Sequence, residues 1–402
     1  MGQPLQAVKG FRDFLPEQAN TRRYVLEKIV STFRLFGFEP LETPALEYAS
    51  VLKGKYGEEE KLIYEFKTRG GDEVALRYDQ TVPLARVLAS YHNLAKPFKR
   101  YQTQPVWRGE SPQKGRYREF LQCDADIVGA SSPLADAEII NLVLNIYQNL
   151  GLNITIKIND RINFEGLEKK YVAAIDKLEK IGESGVLSEM VQKGMVEKEA
   201  QEALKTLQNK PLTANLQQIL DHLKQMGTDM EKIKYEPTLA RGLDYYTGMI
   251  FETVAEGSTG SICSGGRWDN LIGNFTGQNL PAVGFGLGFD RTVEVLKEQG
   301  ILLETSSSAS VLVTIFSPTY LANSLKVAEK LRANNINTEL WLDADSKLDK
   351  QLKYADQKSI PYVVIIGPDE ATSGKIALKD LTLKSQVLLS FPEVVDKLSN
   401  SR

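Results

Sequence analysis

The sequence predicts an α+β protein of two or three domains: a strand-rich core interrupted by a helical insertion, followed by a small α/β domain. Three observations carry this. Residues 100–129 and 236–300 have the alternation and glycine content of strands and hairpins. Residues 161–235 are rich in Lys, Glu, Ala, Leu and Gln at helical spacing. From Val311 onwards, strand and helix patterns alternate at short intervals.

Residues 22–36 place Val25, Ile29, Phe33 and Phe36 on one helical face. Gly37 stops that helix, and residues 37–47 read as an extended segment whose Pro40 and Pro44 suit an edge or irregular strand. Residues 100–129 read as a β-hairpin: 101–107 extended, 109–115 a polar tip, 117–127 extended again. On the return strand Leu121, Cys123, Ala125 and Ile127 share one face, and Arg118, Phe120, Gln122, Asp124 and Asp126 the other. The apolar face would pack on helices and the polar one would form a floor. Segments 167–181, 197–207 and 216–226, punctuated by Gly185, Gly194 and Pro211, predict three or four helices. Residues 236–300 return to strand patterns and end in a helix at 289–299. After a polar linker at 305–309 the pattern is strand 311–316, helix 320–334, strand 339–342, helix 349–358 and strand 362–366, which predicts a partly parallel sheet.

Composition narrows the chemistry. The chain is 42% apolar and 25% charged, as soluble globular proteins are, and no run of eighteen apolar residues offers a membrane span. The first ten residues lack the apolar stretch of a secretory signal, so a cytoplasmic location is expected. Two cysteines, Cys123 and Cys263, are too few for a disulfide framework or zinc cluster. The two histidines, His92 and His222, lie far apart in helix-like stretches, so His-based nucleophilic catalysis and a protein-bound metal are not expected. Chemistry must rest on carboxylates, arginines and positioning. A net charge of −3 means that any nucleic acid would be met by local patches.

The run Arg241-Gly-Leu-Asp-Tyr-Tyr-Thr-Gly-Met-Ile-Phe-Glu252 combines a planar cation suited to carboxylate or phosphate, two tyrosine hydroxyls, and glycines that let a ligand approach the backbone. It reads as extended throughout. Strict alternation sets Tyr246 opposite Arg241, so both reach one pocket only if Gly242 or Gly248 bends the strand. On the hairpin, an arginine such as Arg108 can bridge a carboxylate and a phosphate, and Phe120 can stack on a flat base. At Pro281–Arg291 the spacing of GFGLG is not that of a phosphate-cradling loop, but three glycines leave room for a base and Arg291 could cover its far face.

As a set these runs resemble the histidyl-tRNA synthetase family of class II aminoacyl-tRNA synthetases. Trp107-Arg-Gly-Glu110 with Arg116-Tyr-Arg-Glu-Phe120 is similar to class II motif 2, residues 281–291 to motif 3, and 37–47, with Pro44, to motif 1. Leu76–Thr81 resembles the amino-group site, and Ser264–Leu271 resembles the GGRYD run with Trp268 where tyrosine is usual. The resemblance implies an antiparallel-sheet catalytic core (1–160 and 236–303), a helical insertion (161–235) and an anticodon-binding domain (310–402). It implies activation of histidine by ATP and transfer to tRNA(His), with Mg²⁺ accompanying ATP, by a homodimer formed through the motif 1 segment. Arg108 and Arg241 would be catalytic. Asp79, Thr81, Arg108, Gln122, Asp126, Arg241, Tyr245 and Tyr246 would bind histidine, with Gln122 and Asp126 about 13 Å apart along the strand. Arg108, Glu110, Arg116, Phe120 and Arg291 would bind ATP, and Gln113 and Lys114 would reach the tRNA acceptor end. Asp79 and the strand Cys123–Asp126 lean towards the archaeal and eukaryote-like branch, whereas the tip looks bacterial. The last domain carries 12 Lys and Arg against 11 Asp and Glu over 310–402, so it would bind RNA by shape and stacking. Two alternatives stay open: a non-catalytic histidine-binding paralogue regulating a biosynthetic enzyme, and a class II enzyme for another amino acid.

Overall fold

A computed structural model of the chain describes residues 5–54, 57–112, 115–241, 245–258, 260–302 and 307–400. It divides into two compact units, Met1–Asp13 with Val25–Leu302, and Phe14–Tyr24 with Leu303–Arg402.

The larger unit is built on eight strands: β1 (Glu39–Pro40), β2 (Phe98–Trp107), β3 (Glu119–Val128), β4 (Ile154–Asp160), β5 (Ile233–Tyr235), β6 (Met249–Ala255), β7 (Ser261–Arg267) and β8 (Ala282–Gly288). Their order is β1-β2-β3-β8-β7-β6-β4-β5, with the six strands from β2 to β4 antiparallel and a short parallel strand at each edge. Pro40 lies in edge strand β1, where its missing N–H costs no ladder bond. β2 and β3 pair over ten residues, with Arg100 opposite Asp126 and Gln104 opposite Gln122.

One face of this sheet is apolar because side chains alternate. Cys123, Ala125 and Ile127 of β3 join Phe251, Val283, Phe285 and Leu287 in the main core, with Val25, Ile29 and Phe33 from helix Pro16–Leu35. Helix Pro133–Leu150 seals it with Ile139, Ile140, Val143 and Tyr147. That helix begins on Ser132, whose hydroxyl accepts from Leu134 N, with Pro133 in its first turn, and it ends on Gly151 at φ 74°. A three-stranded antiparallel sheet (Leu46–Tyr48, Glu73–Leu76, Glu65–Lys67, in spatial order) stands beside β2. Buried Arg77 ties the two together by donating to the carbonyls of Thr43, Pro44 and Pro105.

The stretch after β4 is helical: Lys169–Ile175, Leu178–Gln192, Glu197–Gln208 and Ala214–Gln225. The expected helix at 167–181 is broken at Asp176–Lys177, and Gly182 interrupts the next helix with φ 68°. The first three helices gather around Tyr171, Ile175, Met190 and Leu207, whereas Leu216, Ile219 and Leu223 of the fourth pack into the main core. His92 lies in a turn after helix Thr81–Ser90, not in a helix as its surroundings suggested.

The smaller unit holds β9 (Val311–Val313), β10 (Thr338–Leu340), β11 (Tyr362–Ile365), β12 (Ile376–Asp380) and β13 (Ser385–Leu389), in the order β10-β9-β11-β12-β13. The first three are parallel and the last two antiparallel. Both sheet faces are covered, Val311, Val313 and Val364 on one side and Leu312, Val363 and Ile365 on the other, so these strands read as apolar runs without alternation.

Arg267, at the end of β7, is pinned to buried Asp136 through Nε and Nη2 and donates to the carbonyls of Ala130 and Ser132. Removing Asp136 leaves this buried guanidinium with the partly exposed Asp269, 3.3 Å away, in place of a buried carboxylate. Asp136→Ala is expected to cost about 3–5 kcal/mol, measured by urea unfolding, with the m-value unchanged.

Candidate functional site

The polar face of the sheet opens into a cavity of about 560 Å³. Its floor is β3, β8 and β7. Gln122, Asp124 and Asp126 rise from β3, and Gly284 and Gly286 of β8 pair with Asp126 and Asp124. These two glycines make room for side chains of the floor itself: a Cβ at Gly284 would lie 2.0 Å from Asp126 Oδ1, and one at Gly286 would lie 2.6 Å from Gln122 Nε2.

All twelve described candidate residues line this cavity: Asp79, Thr81, Arg108, Glu110, Arg116, Phe120, Gln122, Asp126, Arg241, Tyr245, Tyr246 and Arg291. Gln113 and Lys114 lie outside the described residues. The sequence reading of 241–252 as one extended strand is corrected: the strand starts at Met249, and Tyr245–Gly248 precedes it as irregular backbone. Alternation therefore does not govern Arg241 and Tyr246, and both face the same cavity.

Arg241 is held by Glu252 of β6, which takes its Nε at 3.2 Å and also its Nη2. Burial disfavours its charge, but the hydrogen bond and charge of Glu252 outweigh this and raise its pKa. Because Glu252 occupies the Nε–Nη2 edge, the end of the fork is left for a substrate anion. Arg108 lies between two rings, 4.4 Å from the centre of Tyr78 and 5.2 Å from that of Phe120. Arg116 is half exposed, 3.6 Å from Glu110. Arg291 lies close against Gly115 and Gly260, where a Cβ would meet its guanidinium at 2.7 and 3.4 Å. Asp79, one residue before the N-cap Gln80, accepts from Val82 N in the first turn of helix Thr81–Ser90.

Sequence reasoning missed Arg100 and passed over Asp124. Arg100 is fully buried, its Nη2 2.6 Å from Asp126 Oδ2. Trp268, also buried, donates its indole N–H to Asp126 Oδ1 at 3.2 Å. Gln122 Nε2 donates to Asp124 Oδ1 at 2.9 Å. Burial pushes both carboxyls up against the pull of Arg100, Asp124 to about 8 and Asp126 to about 6. The signal for Arg100 was its place opposite Asp126, which requires the length of the hairpin tip. Tyr245 and Tyr246 sit ring to ring at 4.6 Å, and burial raises both hydroxyl pKa values.

A sequence model described as histidyl-tRNA synthetase matches residues 10–292, and one described as an anticodon binding domain matches 310–401. The histidine–tRNA ligase of Cytophaga hutchinsonii is 40% identical over 97% of this chain and 98% of its own length. That of Christiangramia forsetii is 38% identical over 97% and 98%. A crystal structure of histidyl-tRNA synthetase from a Nostoc species superposes with a TM-score of 0.88 at 30% identity, covering 100% of both chains.

An aspartate titrates near pH ~3.9 when unfolded, whereas folded Asp124 is raised to about 8. The stabilisation from its protonated form is therefore complete below about pH 4 and is lost as pH rises through about 8. The wild type should lose stability between pH 5 and 8 relative to Asp124→Asn, whose amide cannot ionise. Urea midpoints at the two pH values test this, and parallel pH responses of the two proteins would contradict it.

Proposed function

The chain belongs to the histidyl-tRNA synthetase family, and on that premise we propose how its cavity performs the reaction. The chain activates L-histidine with ATP to histidyl-adenylate and transfers the histidyl group to the 3′ end of tRNA(His). A histidine carboxylate oxygen attacks the α-phosphorus and pyrophosphate leaves. The terminal ribose hydroxyl then attacks the acyl carbon and AMP leaves.

The observation that supports the residue assignment best is that Arg108, Arg241 and Arg291, from three distant runs, enter one cavity floored by Asp79, Gln122 and Asp126. Chemistry of this kind needs positioned charge more than covalent help. Arg241 neutralises the histidine carboxylate and α-phosphate as charge shifts between them, and Glu252 fixes its fork. Arg108 bridges the same two groups. Glu110 accepts from the adenine amino group, Phe120 stacks on the purine, Arg116 takes the γ-phosphate, and Arg291 covers the base and reaches the triphosphate. Asp79, with Thr81, holds the α-ammonium. Gln122 meets the amino acid backbone, while Asp126, Tyr245 and Tyr246 read the imidazole. Gln113 and Lys114 meet the acceptor end of the tRNA. Mg²⁺ enters with ATP. It would be held mainly by phosphate oxygens.

Residues 1–160 with 236–303 act as the activating core, 161–235 as the insertion and 310–402 as the anticodon-binding domain. The enzyme works as a cytoplasmic homodimer. An apolar groove of about 700 Å³ along the motif 1 segment, lined by Leu41, Pro44, Leu46, Tyr48 and Phe98, supports pairing with a second copy. No helix among the described residues is long and apolar enough to cross a membrane. A non-catalytic regulatory paralogue is not favoured, because Arg108, Arg116, Arg241 and Arg291 all line the cavity.

Amino-acid-dependent ATP–pyrophosphate exchange tests the assignment. Exchange should occur with histidine and with none of the other nineteen. Arg241→Ala should lower kcat/KM by ~10²–10³-fold, the loss expected for a preorganised transition-state donor worth about 3–4 kcal/mol. Histidine binding without exchange would make the chain a regulator.

A further inference from the structure

We propose that Asp124 is a further specificity-determining residue of the histidine site, accepting a ring N–H of the substrate, with Arg100 and Trp268 as positioning residues that hold Asp126 beside it. The proposal rests on the reading of the cavity as the histidine site.

Asp124 and Asp126 stand two residues apart on one face of β3, hence about 7 Å along the strand. Both are buried and both line the cavity. They are engaged differently. The two oxygens of Asp126 are turned to protein groups, Oδ1 to the Trp268 indole and Oδ2 to Arg100. Trp268 stands where the resembled run carries tyrosine. An indole can only donate, so it fixes the carboxylate without competing as an acceptor. Among the described residues, Asp124 accepts one side-chain hydrogen bond, on Oδ1 from Gln122 Nε2. Its cross-strand neighbours are Gln102 on β2 and Gly286 on β8, and the glycine brings no side chain over it. It lines the same cavity as Tyr245, Tyr246 and Trp268, so it lies among the groups proposed to read the ring. A carboxyl in this position adds an acceptor that a ring without N–H leaves unsatisfied, and such loss is a strong means of rejection.

The test is ATP–pyrophosphate exchange by the full chain, with histidine and with 2-thienylalanine, a ring of similar shape lacking N–H. Wild type, Asp124→Leu and Asp124→Asn are compared. The leucine variant keeps the shape and removes the acceptor. Its KM for histidine should rise at least tenfold, its preference for histidine over thienylalanine should fall at least tenfold, and its KM for ATP should stay unchanged. Asp124→Asn, which keeps one acceptor oxygen, should fall between. Unchanged histidine KM and preference in Asp124→Leu would overturn the proposal. So would parallel losses for histidine and ATP with a lowered thermal midpoint in both variants, which would make Asp124 structural. Absence of histidine-dependent exchange in the wild type would instead overturn the reading of the cavity, and this proposal with it.

Discussion

Arg100 and Asp126 meet across the β2–β3 pair without solvent exposure, and the register of that pair brings them together. Burying either charge alone would cost several kcal/mol. Buried together, they allow the middle of a sheet to carry a polar face. The same register stacks Gln104 against Gln122 and Gln102 against Asp124, so the floor is polar on both strands of the hairpin. A slip of one residue would send Asp124 and Asp126 into the core that Cys123, Ala125 and Ile127 fill. The apolar face thus fixes the register, and the register builds the site.

The neighbouring strand completes this arrangement by omission. β8 faces the carboxyls with Gly284 and Gly286, and the space a Cβ would need is taken by Asp126 and Gln122. On its opposite face Val283, Phe285 and Leu287 continue the core. Alternation of glycine with bulky apolar residues is therefore one strand serving two demands: dense packing below and open room above. At its end, helix Phe289–Glu298 carries Arg291 back over the cavity, and Asp290, whose carboxylate accepts from Leu121 N and Arg12, anchors that turn to β3.

Much of this was legible in the sequence because period 2 is a hard constraint. The polar and apolar faces of 117–127 could be assigned from residue types alone, and the arginines at 108, 116, 241 and 291 stood out against glycine and aromatic neighbours. What sequence could not supply was pairing across elements. Arg100 looks like any residue of a basic Lys-Arg pair until the tip length sets it opposite Asp126. Arg241 and Tyr246 seemed to oppose each other because the run was taken as one strand, yet regular ladder pairing with β4 and β7 begins at Met249 and Ile250. In the smaller unit, β13 was missed for a different reason. Ser385–Leu389 is an exposed edge with three apolar residues in a row, so it carries neither alternation nor the flanking punctuation of a buried strand.

The site also shows how one protein tolerates several acids in one place. Asp79, Asp124 and Asp126 line one cavity, and the buried guanidiniums of Arg100 and Arg77 both act on Asp124. Asp79 draws compensation from the start of helix Thr81–Ser90, and Asp126 from Arg100 and the indole of Trp268. Asp124 has the amide of Gln122, and burial raises its pKa to about 8. A substrate bearing an ammonium group and a ring N–H brings further positive charge and donors to these acids. On the proposed reading, selectivity follows from the acids built into the floor as well as from the shape of the cavity.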